Sequence, residues 1–83
     1  MDINDEKYSG SLILPSKKLV SHMDDIVRVG NVMTYRDDHD SPVKEWHEFN
    51  IFYKNNKSVT YSYEVFSTAA NDRVFLIRYL NKV

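Results

Sequence analysis

Asp37, Asp38, His39 and Asp40, followed by His47 and Glu48, form the densest group of carboxylates and imidazoles in the chain. Such side chains hold divalent cations or pass protons when a fold makes them converge. Their spacing argues against a cation loop, because alternating oxygen ligands, a central glycine and a closing glutamate are missing and Pro42 and Val43 intervene. A solvated acidic surface loop is expected instead. Ser21, His22 and Asp24 or Asp25 supply the residue types of a hydrolytic triad, yet near neighbours on a strand and turn point in different directions and cannot relay a proton. With only Gly10 and Gly30, the chain offers no glycine-rich phosphate loop. The absence of cysteine excludes disulfides, thiolate nucleophiles and cysteine-based zinc sites. No catalytic, metal-binding or cofactor-binding residue is therefore assigned, and the chain is not expected to be an enzyme.

Aromatic residues offer more. Phe49, Tyr53, Tyr61 and Tyr63, close to Lys54 and Lys57, are of the types that stack unpaired bases, which makes single-stranded nucleic-acid binding the second functional expectation. Burying each ring is worth ~1.5–3 kcal/mol, so a small domain is expected to place these four in its core. Trp46 and Phe52 have the opposite strand parity, and Phe75 and Tyr79 project near the polar side of a helix. These four rings, flanked by Arg28, Arg36 and Arg78, are the candidate partner-binding residues, since aromatic anchors beside arginine are typical of protein interfaces. The first functional expectation is a small non-catalytic protein-binding module, a stoichiometric inhibitor or adaptor such as a phage-type inhibitor of a host defence system.

The elements that must position these residues read as follows. Residues 1–10 are acidic and polar, and suggest a flexible arm preceding a single domain over 11–83. Leu12-Ile13-Leu14, stopped by Pro15 and resumed at Leu19-Val20, reads as an edge strand with a break. Ile26 to Tyr35, rich in β-branched residues, is a strand bent at Gly30-Asn31, and Arg36 to Glu45 is a loop. Trp46–Tyr53 and Val59–Phe66 form a β-hairpin. A two-residue Asn55-Asn56 loop would split the apolar residues between two faces. An odd loop, Asn55-Asn56-Lys57, pairs Tyr53 with Val59, Ile51 with Tyr61 and Phe49 with Tyr63, and gathers them on one face, with a left-handed residue near Asn56 or Lys57. From Ala69 to Val83 there is neither glycine nor proline, so a helix capped by Ser67 or Thr68 closes the chain, although Val74 to Leu80 also suits a strand. Arg73 falls inside the apolar arc of that helix and must snorkel or meet a carboxylate.

The expected fold is thus α+β, a small antiparallel sheet of four to five strands with one C-terminal helix in the order β-β-β-β-α, with an all-β fold as the alternative. At 83 residues there is room for one core only, and 42% hydrophobic residues suffice to close it. Domains of this length bury only roughly 60% of their unfolded surface, so the stability margin is thin and homodimerisation would add to it. A net charge of −1, from interspersed acids and bases, gives no field to steer the chain to polyanions, so nucleic acid is disfavoured as the main partner. No run approaches the ~18 apolar residues of a membrane span, and the acidic start from Met1 to Glu6 is the reverse of a signal-peptide head. A cytoplasmic location with another protein as partner is expected.

Overall fold

The computed structural model describes residues 10–39 and 41–81. Its order is β1 (Leu12–Ile13), β2 (Leu19–Val20), a 3-10 turn (Met23–Asp25), β3 (Ile26–Val29), β4 (Met33–Asp37), β5 (Lys44–Tyr53), a second 3-10 turn (Lys54–Asn56), β6 (Ser58–Tyr63) and α1 (Phe66–Asn81). This is a small α+β fold: antiparallel sheets of two and four strands with one C-terminal helix. Of the arm expected at 1–10, only Gly10 belongs to the described residues. It is buried, and its carbonyl accepts the Met23 N–H at 2.7 Å.

The ten-residue strand β5 organises the larger sheet. Met33 to Asp37 pair with Glu48 to Lys44, and Ile26 to Val29 pair with Tyr53 to Ile51, while His47 to Phe52 pair with Tyr63 to Ser58. Each strand has only two edges, so β3 and β4 lie end to end along one edge of β5 and β6 occupies the other. Residues 26–37 therefore behave as one interrupted strand, as the bend at Gly30-Asn31 implied. The interruption is an inserted residue: the paired numbers sum to 80 at Val29 and Ile51 but to 81 at Met33 and Glu48. Glycine is not sterically demanded there, because a Cβ on Gly30 would meet Asn50 O and Phe52 at an ordinary 3.5 Å.

Four readings are corrected by the structure. Leu12 to Val20 is not an interrupted edge strand but a separate hairpin, β1 against β2, turned by Leu14 to Lys18 with Lys17 in the left-handed region (φ 81°). The loop expected over Arg36 to Glu45 is shorter, because Arg36 and Asp37 extend β4 and Lys44 and Glu45 begin β5. The β5–β6 loop is odd-numbered but is Lys54-Asn55-Asn56, closed by the Tyr53 N–H on the Lys57 carbonyl at 2.8 Å. Phe49 consequently faces Tyr61 and Ile51 faces Val59, two residues out of the expected register. A two-residue slip preserves which face every side chain occupies, so burial could not discriminate. The loop chemistry decided it: Asn55 (φ 68°) and Asn56 (φ 62°) both take the left-handed conformation that asparagine tolerates, and Lys57 stays extended. Finally, α1 starts at Phe66, which puts Ser67 and Thr68 inside its first turn rather than at its cap. The strand alternative for Val74 to Leu80 is excluded by the same helix.

One face of the larger sheet carries the core. His47, Phe49 and Ile51 point inward from β5 with Tyr63 from β6, and α1 covers them with Ala69 and Leu76. The β1–β2 hairpin completes the cover with Leu14 and Val20, joined by Met23. Phe49 is sandwiched between Tyr61 and Tyr63, each ring 5.8 Å away and nearly parallel.

Candidate functional site

Alternation along β5 sends Trp46, Glu48, Asn50 and Phe52 to the sheet face opposite the core. Cross-strand pairing surrounds them with Tyr35, Met33 and Arg28 on one side and Ser58, Thr60 and Ser62 on the other. Since α1 and the β1–β2 hairpin both pack on the inner face, no element among the described residues covers this outer one. Trp46 stacks on Tyr35 with ring centroids 5.8 Å apart, and its Nε1–H donates to Glu48 Oε2 at 2.9 Å. Glu48 also accepts from the Ser62 hydroxyl at 3.2 Å. At the other end, the Arg28 guanidinium lies 4.0 Å above the Phe52 ring. Met33, 54% exposed, stands between the two aromatic groups. The result is a pre-ordered strip of rings with polar groups held at its margin.

The seven candidate residues are not one patch. Trp46, Phe52 and Arg28 share the outer face. Arg36 has the inward parity, at the far end of the sheet, where its Nε pairs with Asp38 at 2.7 Å in solvent. Phe75 and Tyr79 lie one turn apart on a flank of α1, 41% and 38% exposed, with Arg78 exposed on the back of the helix. The sheet separates these three from Trp46. Tyr35 and Met33, which sequence reasoning did not select, complete the outer strip. Their signal was parity: the two lie two residues apart on one face of β4, directly opposite Glu48 and Trp46.

The rings considered for base stacking are differently placed. Phe49 and Tyr63 are buried, while Tyr53 and Tyr61 are half-buried and donate their hydroxyls to the carbonyls of Ser21 and Leu19 at 2.9 and 2.7 Å. Burial raises both phenol pKa values above the usual 10.0. Tyr63 is raised much further, by burial first and then by its hydrogen bond to the Asp72 carboxylate.

Residues with chemical potential do not converge. His47 is buried on the inner face, with Nδ1 2.9 Å from Thr34 Oγ1 and its ring edge-on to Phe66, whereas neighbouring Glu48 points to the outer face. Asp37 accepts the His39 N–H as a local turn cap, and no group of three metal-ligating residues forms among those described. Ser21, His22 and Asp25 line an open cleft of about 720 Å³ together with Tyr53, Lys54, Lys57 and Tyr61. No side-chain hydrogen bond among the described residues joins that serine, histidine and aspartate. No helix of the described residues is long and apolar enough to cross a membrane.

Sequence reasoning also passed over Asp72. It lies on the buried stripe of α1 between Ala69 and Leu76, fully enclosed, and accepts hydrogen bonds from the Ser16 backbone N–H at 3.0 Å, the Ser16 hydroxyl and the Tyr63 hydroxyl at 2.8 Å. The adjacent Arg73, expected to snorkel or to meet a carboxylate, donates from Nε to the Gly30 carbonyl at 2.6 Å and from Nη2 to Asn31 Oδ1 at 3.1 Å, so its partners are carbonyl oxygens. Two successive helical residues thus tie α1 to the turn of the β1–β2 hairpin and to the β3–β4 bulge. Comparison of the chain with protein-family models, with curated proteins and with solved structures finds no match.

Proposed function

We propose that the chain is a small non-catalytic binding module, a stoichiometric inhibitor or adaptor, that engages another protein with the outer face of its sheet. The cytoplasm is its proposed compartment. One observation carries the reading: Trp46, Tyr35, Met33 and Phe52 form a strip of large apolar side chains on a sheet face that no described element covers. Such rings lose little conformational entropy on binding because Trp46 is already held by Tyr35 and Glu48. Arg28 over Phe52 and the hydroxyls of Thr60 and Ser62 supply the polar margin common to protein interfaces. Base stacking is not carried forward, because the rings that suggested it lie beneath α1 and the β1–β2 hairpin or are tied to that hairpin by hydrogen bonds.

The test is affinity capture from a lysate of the native host, comparing the natural chain with Trp46→Ala, Phe52→Ala. Loss of two such anchors should weaken a true partner by about 2 kcal/mol or more, roughly thirty-fold. Val74→Ala, altered on the exposed back of α1, is the control. A partner recovered equally by all three chains, each shown folded by circular dichroism, would reject the outer face.

A further inference from the structure

Among the described residues, no strand pairs with the edge of β6 that faces away from β5. The Asn50 carbonyl accepts the Gly30 N–H at 2.8 Å, so the main-chain polar groups of Asn50 face the β3–β4 side and its pair with Thr60 is a non-hydrogen-bonded one. By alternation, the backbone N–H and C=O groups of Ser58, Thr60 and Ser62 face away from β5, and no described backbone group pairs with them. Edges of this kind recruit other strands unless charge, proline or a bulge prevents it. The opposite edge is guarded, with register shifts after Ile26 and around Gly30 and with Arg28, Arg36 and Asp37 along it. By contrast β6 reads Ser58-Val59-Thr60-Tyr61-Ser62-Tyr63: six residues in unbroken register without charge or proline.

We propose that β6 pairs antiparallel with β6 of a second copy of the chain, across a two-fold axis at Thr60. In that register Ser58 of each copy faces Ser62 of the other and Thr60 faces Thr60, and these are the residues whose backbone groups point outward. The outer face thereby gains a row of paired hydroxyls. On the inner face Val59 meets Tyr61 twice. Hydroxyl pairs and aromatic–β-branched pairs are the cross-strand combinations that stabilise antiparallel sheets. An identical strand satisfies every position, and the joined sheet then ends in guarded edges on both sides. The helix adds a second reason. Arg73 reaches Gly30 on the β3–β4 side of the sheet, so the flank of α1 about 200° away, which carries Phe75, is turned to the β6 side with Tyr79 beside it. A second copy on that edge would cover rings that the monomer leaves exposed.

Sedimentation equilibrium tests the pairing, and it does not depend on any partner of the outer face. The natural chain is expected at twice its monomer mass. Thr60→Lys and Thr60→Glu, which set like charges opposite each other at the axis, should each halve that mass while remaining folded by circular dichroism, and an equimolar mixture should restore the dimer. Isotope-filtered NMR should show a contact between the Val59 and Tyr61 α-protons of different chains. A monomeric natural chain would overturn the proposal, and so would Lys and Glu variants as dimeric as the original. Exchange protection of the Thr60 and Ser62 amides in a monomer would assign the edge to an intrachain strand and overturn it equally.

Discussion

The Tyr63 hydroxyl donates to Asp72 Oδ2 at 2.8 Å, joining the last strand to the helix that follows it inside the core. Ser16 supplies two more donors to the same carboxylate, so three elements meet at one enclosed charge. A buried carboxylate is tolerated when its oxygens are satisfied, and removing either side strands the other. Asp72→Ala should therefore lower the unfolding free energy by about 3 kcal/mol, because it leaves three donors without an acceptor. Tyr63→Phe should cost about half as much, since Ser16 still serves the carboxylate. Urea denaturation of the two single variants and the double variant checks both, with the double falling short of the sum.

Stability should decline in alkali. Burial holds Tyr63 protonated far above the ordinary phenol value of 10.0, with the hydrogen bond to Asp72 acting in the same direction, and burial raises Tyr53 and Tyr61 as well. A group whose folded pKa is raised contributes stability that is complete below the unfolded value and is lost as pH rises above it, because the unfolded chain releases the proton first. Denaturation midpoints are expected to fall above pH about 10, the unfolded phenol value, and Tyr63→Phe should flatten that fall. A midpoint that rose with pH in this range would contradict the burial of these phenols.

Arg73 gives a more local effect. Its guanidinium holds the Gly30 carbonyl and the Asn31 side chain at the insertion between β3 and β4. Arg73→Ala should destabilise the chain by about 1–2 kcal/mol and speed amide exchange around Val32 and Met33 more than in β6. Arg73→Lys should recover little of this, because one ammonium cannot reproduce the forked pair of bonds. Uniform acceleration of exchange over both edges would show that Arg73 has no special hold on the insertion.

The β5–β6 loop sets two consecutive asparagines at positive φ, where a side chain costs roughly 1 kcal/mol relative to glycine. Asn56→Gly is expected to raise the thermal midpoint by a few degrees, and Asn56→Ala to lower it by a similar amount. The same pair reports the register. Should Asn56→Gly instead lower the midpoint while Lys57→Gly raises it, the loop would be Asn55-Asn56-Lys57 and Phe49 would face Tyr63.

Much of this architecture was legible in the order of residues, because it depends on local periodicity. Alternation through Trp46–Tyr53 placed Phe49 and Ile51 inward and Trp46 and Phe52 outward. The β-branched run from Ile26, with its break at Gly30-Asn31, gave the bent partner strand. A glycine- and proline-free C-terminal run gave α1. What pairs with what was decided elsewhere. A two-residue slip in the hairpin leaves every side chain on its own face, so no hydrophobic pattern could distinguish Phe49 opposite Tyr61 from Phe49 opposite Tyr63, and two left-handed asparagines settled it. Leu12 to Val20 folds on itself because Lys17 accepts a left-handed turn and Ser16 finds Asp72, 56 residues away. Contacts over such separations are written in no window of sequence. The division of the aromatic and arginine residues among an outer sheet face, a sheet end and a helix flank is of the same kind: periodicity says which residues face away from a core, and only the packing of one element on another says which of them face the same way.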